Sequence, residues 1–127
     1  MKKEWTILIA DRNPNVRGLL KRELEKEGYL IKMARNGREV LEWAYHHKFV
    51  DLLILDPDLP GVEELSLIQK LKDRIPALPT VIHALQSDDL KLSDVSDSVV
   101  FVEKSGTSIE YVKQVVADIV CKSIQNV

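Results

Sequence analysis

The side chains able to do chemistry in this chain stand directly behind short apolar runs. Asp11 and Arg12 follow Ile7-Leu8-Ile9-Ala10, Asp56-Pro57-Asp58 follows Leu52-Leu53-Ile54-Leu55, and Glu103-Lys104 follows Val99-Val100-Phe101-Val102. A further run around Val81-Ile82 ends at Ala84. Carboxylates gathered in one place can hold a hard cation through oxygen ligands or act as nucleophiles, and a lysine beside them neutralises an anion. The histidines offer less. His83 lies inside an apolar run and reads as a hydrogen-bonded core residue, while His46 and His47 are adjacent on a helix and cannot converge on one metal. Cys121 has no second cysteine to pair with and lies in an apolar stretch, so it is expected to be a small core residue rather than a nucleophile.

Whether the carboxylates meet depends on the elements that carry them. The runs at Ile7 to Ala10, Leu52 to Leu55, Val81-Ile82 with its flanks and Val99 to Val102 are continuous and of strand length, which suits parallel strands buried on both faces. Tyr29 to Ala34 is broken by Lys32 and suits an edge strand. Between these runs the apolar period changes to that of a helix. Val16, Leu19, Leu20 and Leu24 form one stripe, opened by Asn13-Pro14 as cap and first helical residue and closed by Gly28. Val40, Leu41 and Ala44 form a second; Leu65, Ile68, Leu71 and Ile75 form a third, ended by Pro76. Thr107-Ser108-Ile109-Glu110 reads as a capping box ahead of a last helix marked by Val112, Val115, Val116, Ile119 and Val120. From Gln86 to Ser98 the apolar residues are few, and at most a short, mobile helix is expected there.

Five strands each followed by a helix imply an α/β fold, an open parallel sheet with helices on both faces. Ligands in such sheets bind outside the carboxyl ends of the strands, at the point where the strand order reverses. Asp11, Asp56 and Lys104 are all expected at that end. The 127 residues, 45% of them hydrophobic, suit one compact domain over 1–127. With 18 Lys and Arg against 20 Asp and Glu, no basic clustering and 6% aromatic residues, the electrostatic basis for direct nucleic-acid binding is missing. The segment MKKEWTILIA is too short an apolar run for a signal peptide or a membrane span, so no membrane association and a cytoplasmic location are expected.

The runs ILIADRNPNVR, DLLILDPDLPG, LPTVIHAL and FVEKSG together resemble the landmarks of the response-regulator receiver domain, the chemotaxis-regulator-like module of two-component signalling. The resemblance covers nearly the whole chain. It implies a three-layer, doubly wound (βα)5 flavodoxin-like fold with a parallel sheet of order 2-1-3-4-5. In that family an aspartate after the third strand accepts a phosphoryl group from a phosphohistidine of a sensor kinase, and Asp56 matches it. The lysine that pairs with the phosphoryl oxygens matches Lys104. Of the acidic pair that helps to hold Mg²⁺ only Asp11 is present, Arg12 standing at the second position. Asp58 falls where the family supplies a metal ligand from its backbone carbonyl. The hydroxyl residue after the fourth strand falls on Ala84, and the aromatic switch position on Phe101.

The resemblance also explains the residue types. A carboxylate attacking a phosphoryl group brings negative charges together, so a divalent cation and a lysine must neutralise the transition state. Arg12 removes a metal ligand and adds a cation; Ala84 removes a hydrogen-bond donor and the link to Phe101. The chain is therefore expected to be a signal-transduction receiver rather than an enzyme, accepting phosphate on Asp56 with impaired chemistry and weak or absent Mg²⁺ binding. The alternative is a phosphorylation-independent degenerate receiver acting as a protein-binding module. Expected partners are a sensor histidine kinase or phosphotransfer protein, a downstream effector protein or domain, and a second copy in a homodimer. A phosphatase is the weakest of three remaining readings, and a nucleotide- or flavin-binding reading fails. The pair Asp56 and Asp58 imitates the nucleophile and acid/base of haloacid-dehalogenase-like phosphatases, but Leu59-Pro60-Gly61 follows where that family has Gly-Thr. Arg12-Asn13-Pro14-Asn15 is no glycine-rich phosphate cradle.

Overall fold

The computed structural model describes residues 4–47, 49–63, 66–85 and 99–125. In chain order it contains β1 (Thr6–Ala10), α1 (Pro14–Lys26), β2 (Leu30–Ala34), α2 (Gly37–Leu41) running on into a π-helical turn (Glu42–His47), β3 (Leu52–Leu55), α3 (Leu67–Lys72), β4 (Thr80–Ala84), β5 (Val99–Glu103) and α4 (Ser108–Gln125). All five strands are parallel and lie in the order β2-β1-β3-β4-β5. This is the flavodoxin-like order that the family resemblance implies. The segment 86–98, expected to hold at most a short helix, lies outside the described residues.

Side-chain alternation along the strands divides the core into two layers. Leu8, Ala10, Leu53 and Leu55 face Val40, Ala44, Leu67 and Leu71 on one side of the sheet. Ile7, Ile9, Leu52, Ile54, Val81 and Val102 face Leu20 and Leu24 of α1 and Val112 and Val116 of α4 on the other. Because both faces are covered, β1, β3 and β4 are buried along their whole length, which is why apolar residues dominate their sequences, with Thr6, Thr80 and His83 as the buried polar exceptions. Each such leucine or isoleucine contributes roughly 1.5–3 kcal/mol by leaving water. At the edge β2 is different, with Leu30, Lys32 and Met33 exposed.

Helix ends follow the local chemistry. Asn13 caps α1, accepting from Asn15 N at 2.8 Å and Val16 N at 3.4 Å, and Pro14 begins the helix without wasting a donor. Gly28 then turns the chain at φ 95°, a conformation that favours glycine. Asn36 caps α2 by accepting from Glu39 N. At the start of α2, Gly37 donates its N–H to Pro60 O at 2.7 Å, so close to the β3–α3 loop that a Cβ there would lie 2.9 Å from Gly61 C and O. The π-helical turn is tied down by Arg74, whose Nε donates to Ala44 O at 2.6 Å.

Three expectations need correction. The third helical stripe uses Leu67 and Leu71; Ile68 is only partly buried, Ile75 is 89% exposed and Leu65 lies outside the described residues. Asp73 caps α3 before the period can reach Ile75. Cys121 is exposed, because the inward stripe of α4 runs through Val112 and Val116 with Ile119 and Val120 beside it, and position 121 turns a further 100° away. The entrance to α4 is held by Ser105 rather than by a Thr107–Glu110 box: Ser105 Oγ accepts from Thr107 N, and Ser105 O accepts from Ser108 N and Ser108 Oγ. No helix among the described residues is long and apolar enough to cross a membrane.

Candidate functional site

Parallel strands end on the same edge of a sheet, so the residues after β1, β3 and β5 share one rim. The order reverses between β1 and β3, because β1 leads through α1 to β2 on one side while β3 lies on the other. Asp11 and Asp56 flank that crevice, and Asp56 N donates to Ala10 O at 2.8 Å, extending the ladder to the rim. Both aspartates are buried, Asp56 to 1% exposure.

The two carboxylates are deployed in the same way. Asp11 Oδ1 accepts from Asn13 N at 2.8 Å, and Asp56 Oδ1 accepts from Asp58 N at 2.9 Å. Each thus closes an Asx turn that leads the chain away from its strand. Turn chemistry and a site role coexist here, since one oxygen does each job. The second oxygens face cations: Lys104 Nζ lies 3.1 Å from Asp11 Oδ2 and 3.6 Å from Asp56 Oδ2. Lys104 reaches them because it directly follows β5, where its N–H donates to Ala84 O at 2.6 Å.

Arg12 approaches Asp56 from outside. Its backbone N–H donates to Asp56 Oδ2 at 3.3 Å, its Nε lies 3.4 Å from the same oxygen, and its Nη2 lies 3.3 Å from Asp58 Oδ2. Arg12 and Asp58 are largely exposed, whereas Lys104 is mostly buried. Asp56 Oδ2 therefore lies between an inner ammonium and an outer guanidinium. These residues as arranged do not fit a divalent cation. Asp11, Asp56 and Asp58 each turn a carboxylate oxygen to Lys104 or Arg12, and among the described residues no group of three or more His, Cys, Asp or Glu side chains is set to hold a metal.

Ala84 ends β4 buried, beside Glu103 of β5, and offers only a methyl group to the rim. Phe101 pairs with Ile82 and is half-buried. His83 is buried and its Nε2 lies 2.9 Å from Ser108 Oγ. Ser108 Oγ–H is already donated to Ser105 O, so the histidine must be the donor in this pair and its Nε2 carries the proton. Burial and the nearby Lys104 push its pKa below the ordinary histidine value. This agrees with the sequence reading of a hydrogen-bonded core histidine.

Two contributors were missed from sequence. Arg17 Nη1 donates to Asp11 O at 2.7 Å, reaching back six residues from α1 to hold the β1 rim. Gly37, through its contact with Pro60 and Gly61, holds the loop that carries Asp58. Arg17 had one sequence signal, a basic residue in the first turn of α1 directly beyond the acidic rim.

Comparison with known proteins gives a consistent result. A model of the response regulator receiver domain matches residues 7–99. The DNA-binding transcriptional regulator NtrC of Escherichia coli K12 is 35% identical over 82 residues, which span 65% of this chain and 17% of NtrC. Response regulator GtcR of Aneurinibacillus migulanus is 37% identical over 84 residues, 66% of this chain and 34% of GtcR. The match thus spans a minor part of these relatives' length. Among solved structures, response regulator TrrA of Thermotoga maritima in complex with Mg²⁺ and BeF is 32% identical with a TM-score of 0.71, covering 87% of this chain and 96% of TrrA. TrrA bound to histidine kinase ThkA matches with 31% identity and a TM-score of 0.70, covering 87% of this chain and 95% of that one.

Proposed function

The chain belongs to the response regulator receiver family, and from that premise we propose that residues 1–127 form one receiver domain whose Asp56 accepts a phosphoryl group from the phosphohistidine of a sensor kinase or phosphotransfer protein. The observation that supports this reading best is the placing of Asp56 Oδ2 at the switch-point crevice, 3.6 Å from the Lys104 ammonium. An Asp56 oxygen would attack phosphorus as the P–N bond breaks, the electron pair returning to the imidazole nitrogen. Lys104 would neutralise charge on the transferred oxygens, which is where electrostatic stabilisation has most effect. Asp11 holds Lys104 in position, and Arg17 holds the Asp11 backbone.

The transfer is read as slow. Ala84 presents no hydroxyl to the incoming phosphoryl group, and Arg12 stands where the family resemblance places a metal-ligating acid. TrrA's complex with Mg²⁺ and BeF and its complex with a kinase support a phosphoryl site and a kinase partner for this chain. The downstream partner is read as an effector protein or domain, with no direct nucleic-acid contact by this domain. We place the domain in the cytoplasm, where a kinase would meet it. Phosphorylation-independent docking is the alternative, favoured by the buried Ala84 methyl. Beryllofluoride, a mimic of an aspartyl phosphate, separates the two. A bound ¹⁹F signal with amide shifts at Lys104 and Asp58, lost in Asp56→Asn, is expected; a wild-type protein that gives no adduct contradicts the acceptor reading.

A further inference from the structure

The three carboxylates of the rim, Asp11, Asp56 and Asp58, meet two cations, Lys104 and Arg12, which leaves one net negative charge. An acid at position 12 instead of Arg12 would make that charge more negative by two units. A divalent cation would then be needed to restore the present balance. The presence of Arg12 in place of an acid makes the same two-unit difference covalently. Its position matches its charge: the guanidinium bridges Asp56 and Asp58 through Nε and Nη2, as a metal ion bridges oxygen ligands.

We propose that Arg12 is the chain's own replacement for the divalent cation, so that the site excludes Mg²⁺ and recognises a phosphoryl-like oxyanion at Asp56 without it. The oxyanion half of this inference rests on the reading of Asp56 as phosphoacceptor; the exclusion of Mg²⁺ does not. For Mg²⁺ to reach Asp56, the guanidinium must leave both carboxylates, and a cation entering beside it is repelled at short range. An oxyanion meets the opposite situation. Arg12 lies half in solvent, so its planar N–H groups are free to turn from Asp58 to the oxygens of a group held at Asp56, while Lys104 serves the inner side. What the guanidinium lacks is the octahedral oxygen shell of Mg²⁺, and Arg12 therefore replaces the metal's charge better than its orienting power.

The test is a Mg²⁺ titration at constant ionic strength, read by amide shifts of residues 11, 56 and 58 in the wild type, Arg12→Ala and Arg12→Asp. The wild type should show no saturable shift at millimolar Mg²⁺, Arg12→Asp should saturate, and Arg12→Ala should fall between. Beryllofluoride binding is measured in parallel with and without Mg²⁺, and the wild-type adduct should be indifferent to the metal while that of Arg12→Asp requires it. Wild-type protein that binds Mg²⁺ as tightly as Arg12→Asp overturns the proposal, as does a folded Arg12→Asp that binds none. If beryllofluoride binds neither protein while the Mg²⁺ affinities differ as expected, the oxyanion half and the phosphoacceptor reading both fall and the exclusion of Mg²⁺ by Arg12 stands.

Discussion

Replacing Lys104 by Met keeps most of the apolar stem of the side chain and removes its ammonium group. In the native site the ammonium lies 3.1 Å from Asp11 Oδ2 and 3.6 Å from Asp56 Oδ2, and the two carboxylates are 3% and 1% exposed. At an effective dielectric of about 20, either contact corresponds to a gross attraction of about 5 kcal/mol, much of it offset by the cost of taking Lys104 out of water. Removing one partner of a buried pair usually costs ~3–5 kcal/mol, because the other charge is left buried and uncompensated. Lys104 keeps some contact with solvent, so the lower end, about 3 kcal/mol, is the expectation. A domain of ordinary stability, ~5–15 kcal/mol, remains folded after such a loss. Among the described residues Asp56 keeps Arg12 as a partner, whereas the Asp11 carboxylate keeps the Asn13 N–H alone, so Asp11 is the residue left stranded. Urea unfolding at neutral pH should therefore show Lys104→Met destabilised by about 3 kcal/mol, and the double variant Asp11→Asn/Lys104→Met partly restored. A loss under about 1 kcal/mol, or a double variant no more stable than Lys104→Met, would refute the claim that this lysine neutralises buried charge.

Other parts of the structure give further expectations. His83 has a folded pKa below its unfolded value of 6.5, so its contribution is full above that value and stability falls as pH drops below it; urea unfolding across this range should slope for the wild type and flatten in His83→Gln. Gly37→Ala forces a Cβ to within 2.9 Å of the Gly61 backbone, and a loss of roughly 1–3 kcal/mol with shifted Asp58 resonances is expected; an unchanged loop would show that α2 does not position it. Phe101 of β5 is half-buried and Tyr111 of α4 is exposed; because Ala84 cannot draw on a phosphoryl group, affinity for an effector docking on this β5–α4 face should change by less than about tenfold, 1.4 kcal/mol, between wild type and Asp56→Asn, as read by titration calorimetry.

The rim was legible in the sequence for a physical reason. An unbroken apolar run implies a parallel strand covered on both faces, parallel strands end on one edge, and so Asp11, Asp56 and Lys104 could be placed together from their positions behind such runs. The structure pairs Arg12 with Asp56 and Asp58 across the adjacent strands β1 and β3. Helical faces were harder to read. Cys121 lies beside Val120 in an apolar stretch, but one residue turns a helix by 100°, enough to carry the thiol from the core to the surface. Ile75 continued an apolar period that Asp73 had already ended. Least visible were long-reach polar contacts. Nothing in the periodicity shows that Arg17 bends back to the Asp11 carbonyl, or that His83 finds Ser108 across the fold.

We propose Asp56 as a phosphoryl acceptor held between Lys104 and Arg12. Incubation with a small acyl phosphate, followed by intact-mass and peptide mapping, tests it most directly. One phosphoryl group should accumulate slowly on Asp56 in the wild type, form more slowly still in Lys104→Met, and be absent from Asp56→Asn. A wild-type protein that acquires no label, or acquires it on another residue, would contradict the account and leave phosphorylation-independent docking as the function of the domain.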